Sequence, residues 1–173
     1  MPKMRSITSA FVLTSACILT SALSWAANEN PPPSTPAPLQ TEFVYEAIVE
    51  IGSWVDVGEA PSGHRRYIPI TGGTFRGDRI QGVVLPGGAD WQTERPDGVT
   101  EVDALYSMKC DDGTVLIVHN SGIIAEGGKY LRTSPHVEAP KGPHDWLNRS
   151  FFLGSIAGGP RPGTVAIRVF RVL

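Results

Sequence analysis

Residues 99–121 read VTEVDALYSMKCDDGTVLIVHNS, two runs rich in strand-forming residues with a turn signal between them. The runs cover residues 99–110 and 114–121, and the turn lies at residues 111–113. Asp-Gly between two such runs is typical of a β-hairpin, because both residues tolerate the backbone angles of a tight turn. We therefore predict two antiparallel strands joined by this turn.

The pattern on either side of the hairpin also predicts strands. In residues 41–51 the apolar side chains recur at every second position, which is the period of a strand. Gly77 and Gly82 predict bends or bulges inside another strand, where a curled sheet turns. Residues 145–149 form at most one helical turn. Further strands are predicted at residues 65–70, 74–85, 89–95, 129–133, 150–154 and 164–172.

About eight or nine short strands imply a sandwich or a closed barrel, and glycines inside strands favour closure because barrels need sharp local bends. We predict an all-β domain over residues 41–173, a single antiparallel β-barrel. The 19 Gly and 15 Pro exclude a helical bundle, and 41% hydrophobic residues suffice for a core. A net charge of −2 offers no basic excess, so we expect no nucleic-acid partner.

The first residues have the order of a secretory signal peptide. Lys3 and Arg5 precede a mostly apolar stretch, residues 7–23, and small residues follow it. We predict a signal peptide over residues 1–26, cleaved after Ala26 or, alternatively, after Ala27. The protein is then periplasmic or secreted, with no stable membrane span after cleavage. A membrane anchor is the alternative, although the stretch is short and rich in hydroxyl groups.

Two further features lie within this segment and directly after it. Cys17 leaves a lipoprotein signal open as another alternative, because the residues before it loosely resemble a lipobox. Residues 27–40 contain five prolines within residues 31–38, and we predict an extended, proline-rich linker there. If residues 1–26 are removed, Cys110 is the remaining cysteine and the mature chain has no internal disulfide.

Two longer motifs carry a family resemblance. Residues 69–77, PITGGTFRG, and residues 82–91, GVVLPGGADW, resemble the signature of the DUF3237 family, also called UPF0311. The resemblance covers about residues 43–172 and implies a barrel similar to that of allene oxide cyclase. It also implies cofactor-free cyclisation or isomerisation of an apolar, oxygenated molecule, since some fungal members act as chalcone isomerases. Leu105 stands where the family usually carries Arg.

The sequence lacks several common catalytic motifs. It has no G-x-S-x-G elbow, and it has no H-E-x-x-H or H-x-H metal motif. We therefore expect no cofactor and no metal site, and acid/base chemistry by carboxylates, phenols, amides and guanidinium groups. The histidines are scattered, at His64, His119, His136 and His144.

Asp90 and Arg95 are two of the four predicted catalytic residues. Asp90 follows a glycine turn, and desolvation at the barrel mouth would raise its pKa toward the range of a general base. The alternative is a carboxylate that caps turn amides. Arg95 could stabilise an enolate oxygen, or it could instead pair with Asp97 or another nearby carboxylate.

Asp103 and Tyr106 are the other two predicted catalytic residues. Because side chains alternate along a strand, they cannot both point into the barrel on a regular strand. Asp103 could serve as the base in place of Asp90. Tyr106 could donate a proton to a carbonyl oxygen, or it could be a core aromatic residue.

Three residues are predicted to contact the substrate. Trp91 would form part of the apolar wall, and Asn148 would orient a carbonyl group. His119 shares a face with Val115 and Ile117, which we interpret as a face that could line the interior. The alternatives are a core filler for Trp91, a loop-bridging amide for Asn148 and a rim histidine for His119.

Together these features predict an exported β-barrel that binds an apolar, oxygen-bearing small molecule, phenolic or polyketide-like. We expect it to catalyse a cofactor-free isomerisation, cyclisation or lyase step. One alternative is a non-catalytic carrier of a hydrophobic ligand, and another is a structural envelope protein with a filled interior. Exposed barrel faces are also compatible with a homodimer.

Overall fold

A computed structural model describes residues 38–173, so the predicted signal peptide and most of the predicted linker lie outside the described residues. Two 3-10 helices, Glu126–Gly128 and Asp145–Arg149, accompany the strands. Among residues 38–173, no helix is long and apolar enough to cross a membrane. The strands are β1 (Thr41–Ile51), β2 (Val55–Ala60), β3 (Gly63–Arg76), β4 (Gln81–Val84), β5 (Gly88–Glu94), β6 (Thr100–Cys110), β7 (Val115–Ala125), β8 (Tyr130–Glu138), β9 (Phe152–Gly158) and β10 (Thr164–Val172).

The strands close into an antiparallel barrel. Neighbours follow the order β1-β10-β9-β8-β7-β6-β4-β3-β2, and β1 also pairs with β3, which closes the ring. β4 and β5 both lie between β3 and β6, β4 beside the end of β3 and β5 beside its beginning. The result is a closed eight-stranded barrel with two extra strands, so the predicted all-β barrel is confirmed.

The strand predictions hold best where the sequence pattern is strong. β1 has the predicted bounds, and β6 and β7 pair as a hairpin in which Tyr106 lies opposite Val118. The predicted strand at residues 74–85 is instead divided, because β3 ends at Arg76 and β4 begins at Gln81. β2 was not predicted.

Glycine permits two of the closest strand contacts in the barrel. A Cβ atom at Gly73 would lie 2.2 Å from the carbonyl oxygen of Ile48, and one at Gly82 would lie 2.0 Å from that of Lys109. Both residues also have positive φ angles, which side chains disfavour. Gly82 is therefore favoured where β4 lies close against β6, although the register of β4 with β3 and β6 is regular and shows no bulge at this position.

The two ends of the barrel interior differ in how they are filled. Near the end of β6 that holds Cys110, large buried side chains occupy the interior, among them Tyr45, Met108 and Phe152. Leu147, from the 3-10 helix Asp145–Arg149, is 1% exposed and packs against this core. At the opposite end the inward side chains are smaller and leave a cavity.

Candidate active site

The cavity has a volume of about 290 Å³ and lies at the end of the barrel where β6 begins. Its floor is buried, and its mouth is bordered by partly exposed aliphatic side chains. A ligand held there would contact mainly aliphatic groups and a few polar ones, as is common in small-molecule sites. The lining residues are Val49, Ile51, Arg66, Ile68, Ile70, Asp90, Gln92, Val102, Ala104, Tyr106, Asn120, Ile124, Leu131, Ile156, Val165 and Ile167.

The carboxylate of Asp90 is fixed in this cavity by two hydrogen bonds. Gln92 Nε2 donates to Asp90 Oδ2 over 2.6 Å, and the backbone N–H of Asp103 donates to Asp90 Oδ1 over 3.0 Å. Arg66 Nε in turn donates to Gln92 Oε1 over 2.8 Å. Each carboxylate oxygen has two lone pairs, so each retains one for a substrate.

Burial raises the pKa of Asp90 above its ordinary value of 3.8. Desolvation is the largest cause, and the hydrogen bonds from Gln92 and from the N–H of Asp103 oppose it by stabilising the carboxylate. Arg66 acts in the same direction as these hydrogen bonds, but the larger effect of desolvation prevails. A carboxyl group with a raised pKa gains and loses protons more readily near neutral pH, which suits a general acid or base.

A small residue separates two polar groups across the cavity floor. In the strand register, Asp90 of β5 lies opposite Ala104 of β6, and Ala104 lies opposite Asn120 of β7. Adjacent strands are about 4.8 Å apart, so Asp90 and Asn120 are roughly 10 Å apart along this row. Because the Ala104 side chain is a single methyl group, the space between the two polar groups is open.

Asn120 and Tyr106 add two more polar residues to the cavity lining. Asn120 is 2% exposed, and within residues 38–173 its Oδ1 has no hydrogen-bond partner. A buried, unpaired amide oxygen is costly unless a ligand donates to it. Burial raises the pKa of Tyr106 above its usual range, although the nearby Tyr45 hydroxyl opposes the shift. Tyr106 therefore keeps its proton at neutral pH and can act as a donor.

The structure places Asp103 and His119 outside the cavity, which corrects the predicted site. Inner positions of β6 hold Ala104 and Tyr106, so alternation turns the Asp103 side chain outward, and it hydrogen-bonds His119 on the outer surface. Of the two residues that could not share a face, Tyr106 is the inward one. Asp103 contributes its backbone N–H to the site and not its carboxylate.

Arg95, Trp91 and Asn148 also lie away from the cavity. Arg95 occupies the turn after β5, where it pairs with Asp97 and Glu101, as one alternative interpretation expected. Trp91 is 44% exposed on the outer face, because it follows the inward Asp90 directly in the strand. Arg95 is therefore not a catalytic group of this cavity, and Trp91 does not contact a substrate bound in it.

Asn148 has a structural role in joining a loop to a strand end. Its Nδ2 donates to the carbonyl oxygen of Ala139 and its Oδ1 accepts from the N–H of Ala139, both over 2.9 Å. This pair of bonds ties the 3-10 helix Asp145–Arg149 to the chain just beyond β8. The loop-bridging interpretation of Asn148 therefore fits the structure, and the carbonyl-orienting one does not.

Sequence reasoning missed three polar residues of the cavity: Arg66, Gln92 and Asn120. Gln92 lies two residues from Asp90 and so on the same face of β5, a signal that was available. On β7, Val115 and Ile117 suggested that the face of His119 was the inner one. The hairpin register instead turns Leu116, Val118 and Asn120 inward.

The arrangement can bind an apolar molecule and transfer a proton within it. Asp90 supplies the carboxyl group, Tyr106 a hydroxyl group and Asn120 an amide group, inside a mainly aliphatic cavity. The cavity lining named above contains neither a histidine nor a cysteine, and Asp90 is its only carboxylate among the described residues. The chemistry available to these side chains is therefore acid/base and hydrogen-bonding chemistry.

Comparisons with known proteins agree with this fold. A UPF0311 protein from Rhodopseudomonas palustris is 37% identical over 135 residues, covering 69% of this chain and 88% of that protein. The crystal structure of a conserved protein of unknown function from the same species matches with a TM-score of 0.72 and 38% identity, covering 80% of this chain and 100% of that one.

One relative is named for an activity. A hydroalkoxylation enzyme from Penicillium herquei is 27% identical over 115 residues, covering 66% of this chain and 72% of that protein. Residues 39–172 match the family described as "Protein of unknown function (DUF3237)", which is nearly all of the barrel domain. This chain therefore belongs to the DUF3237 family.

Proposed function

We propose that this barrel is a cofactor-independent enzyme that closes a ring in, or isomerises, an apolar molecule carrying a hydroxyl group and a conjugated carbonyl. The observation that carries the proposal is a carboxyl group, Asp90, held by hydrogen bonds inside an otherwise mainly aliphatic cavity with a raised pKa. Such a group is unfavourable for stability, which is typical of catalytic carboxyl groups.

The proposed step moves one proton and forms one C–O bond. Asp90 accepts the proton of the substrate hydroxyl group. The substrate oxygen then attacks the alkene carbon that lies farther from the carbonyl. The alkene electrons pass to the carbonyl oxygen as an enolate, which the Tyr106 hydroxyl stabilises by a hydrogen bond. Asp90 then returns its proton to the carbon beside the carbonyl, so atoms and electrons balance without a co-reactant.

The cavity floor supports a hydroxyl-bearing substrate. The buried Oδ1 of Asn120 is an acceptor without a partner among the described residues, and a substrate donor would satisfy it. The named activity of the Penicillium herquei relative, hydroalkoxylation, is addition of an alcohol O–H across a carbon–carbon double bond and thus the same class of reaction. That likeness supports the reaction class but not a particular substrate.

A ligand carrier is the second candidate, because most of the lining is aliphatic.

We further propose that the protein acts in the periplasm or outside the cell. This rests on the order of charged, apolar and small residues at positions 1–26. It predicts that the mature chain recovered from the periplasm begins at Ala27.

The test is turnover of a hydroxychalcone, which carries both the hydroxyl group and the conjugated carbonyl, by the wild type and by variants. Asp90→Asn should lower kcat by about a hundredfold or more, and Tyr106→Phe by about tenfold or more. Glu101→Gln is the matched control, because this carboxylate lies on the adjacent strand but faces outward, where it pairs with Arg95, and the variant should stay within about twofold. Full activity in Asp90→Asn would refute the proposed mechanism. Binding without turnover by the wild type would instead support a carrier.

A further inference from the structure

A second group of reactive side chains lies at the filled end of the barrel, away from the cavity. Cys110 ends β6, Asp112 lies in the turn to β7, and His144 precedes the 3-10 helix Asp145–Arg149. One potential ligand atom from each of the three residues lies within 4.8 Å of the other two. They line a surface depression of about 340 Å³, separate from the barrel cavity.

We propose that Cys110, Asp112 and His144 form a zinc site, with water in the fourth position. Thiolate, imidazole and carboxylate groups are each ligands of Zn²⁺ in proteins. Ligand atoms in a tetrahedral zinc site are about 3.5 Å apart, given the bond lengths to sulfur, nitrogen and oxygen. His144 Nε2 and Asp112 Oδ2 are already 2.9 Å apart, so the longer separations in the group, which reach up to 4.8 Å, are the ones that would need to shorten by roughly 1 Å.

Two of the three residues are already held in place. His144 Nε2 and Asp112 Oδ2 are 2.9 Å apart, so these groups already face each other. Asp112 Oδ1 accepts the backbone N–H of Thr114 over 2.9 Å, which fixes the carboxylate relative to the hairpin turn. Little conformational freedom would therefore be lost on binding an ion.

The side chains also have unused binding capacity. His144 is 9% exposed, and its Nδ1 is buried without a hydrogen-bond partner in the described part of the chain. Cys110 is buried, and within residues 38–173 it forms no disulfide. Nδ1 can carry the ring proton, which leaves the lone pair of Nε2, the nitrogen that faces Asp112, for a metal ion. When the ion binds, the thiol loses its proton to the buffer and the Zn–S bond forms.

Sequence analysis predicted no metal site, because Cys110-x-Asp112 is not a known zinc motif and His144 lies far along the chain. The β6–β7 turn and the loop after β8 meet only in the folded barrel. The site would link these two loops at the filled end, and its open position would face solvent. It is independent of the proposed reaction in the cavity.

The experiment is titration of the purified, metal-free protein with Co²⁺, which replaces zinc and gives a thiolate charge-transfer absorption band. We expect one Co²⁺ per chain with this band, displacement by Zn²⁺ and a rise in Tm with Zn²⁺. Cys110→Ser and His144→Gln should lose the band and bind at least about tenfold more weakly. Asp112→Asn should also bind more weakly while it retains an oxygen for the Thr114 N–H.

His64→Gln is the matched control. His64 contacts Asp56 and Glu59 on the surface, so this variant removes a histidine from another cluster of carboxylates, one without a cysteine. It should leave the Co²⁺ spectrum unchanged. No thiolate band in the wild type at micromolar Co²⁺, or equal binding by folded Cys110→Ser, would overturn the proposal. Circular dichroism would verify that each variant is folded.

Discussion

The two ends of the barrel use the same strands but differ in the size of their inward side chains. At the filled end, β6 contributes Met108 and β9 contributes Phe152, both fully or almost fully buried. At the hollow end, the same strands contribute Ala104 and Ile156, which border the cavity. The comparison shows that strand closure alone does not make a binding site. Side-chain size along each strand decides which end is open.

The largest difference between the ends is expected in stability. Phe152→Ala should lower the free energy of unfolding by about 3–5 kcal/mol, because Phe152 is 1% exposed and its loss leaves a new cavity. Ile124→Ala, at the mouth of the existing cavity, should cost no more than about 1.5 kcal/mol. Urea unfolding at equilibrium measures both, and equal losses would contradict the distinction between the ends.

The second expected effect is on ligand binding. Ala104→Leu fills the space between Asp90 and Asn120 without altering a polar group, and it should weaken binding of a naphthol by at least about tenfold. Fluorescence titration measures the Kd. Leu105→Ala changes the adjacent, outward side chain and should leave the Kd unchanged. If both variants bind as the wild type does, the ligand does not occupy the hollow end.

The third effect is a pH dependence of stability that comes from Asp90. Its folded pKa is raised, so its favourable contribution is complete below about pH 3.8 and is lost as the pH rises through the folded pKa. Relative to Asp90→Asn, the wild type should lose up to about 1.4 kcal/mol per pH unit over this interval. Urea unfolding of both proteins from pH 3 to pH 8 tests this. A stability difference that rises with pH would contradict it.

The smallest effect concerns the residue that departs from the family pattern. Leu105 is 53% exposed on the outer face, so Leu105→Arg should change the free energy of unfolding by less than about 0.5 kcal/mol. It should also leave naphthol binding unchanged. A loss of binding would show that the outer face communicates with the cavity.

Much of the fold could be predicted from local sequence patterns. β1 alternates from Tyr45 to Ile51, although a bulge between Phe43 and Tyr45 interrupts the pattern, and the Asp-Gly turn fixes the hairpin of β6 and β7. β2 was missed because most of it is exposed and, among the described strands, it pairs with β3 alone, so no buried face left a pattern. β8 continues through Pro135, where a strand was predicted to have ended. Proline cannot donate a backbone hydrogen bond, but it is tolerated there because the pairing of β8 with β9 ends at Thr133.

The site was harder to predict, because it depends on which face of each strand turns inward. Asp90 and Tyr106 were chosen for their chemistry, and both line the cavity. His119 was assigned to the wrong face, since β7 carries apolar residues on both faces and only the register with β6 distinguishes them. The meeting of Cys110 and His144 depends on loop positions, which periodicity does not encode.

The most direct test of a working carboxyl group in the hollow end is the pKa of Asp90, measured by a carbon-13 NMR titration of its side-chain carboxyl. We predict a value above 3.8, and a further change when a naphthol fills the cavity. Asp90→Asn would identify the signal. A pKa at or below 3.8, unaffected by the ligand, would contradict a desolvated general base in this cavity.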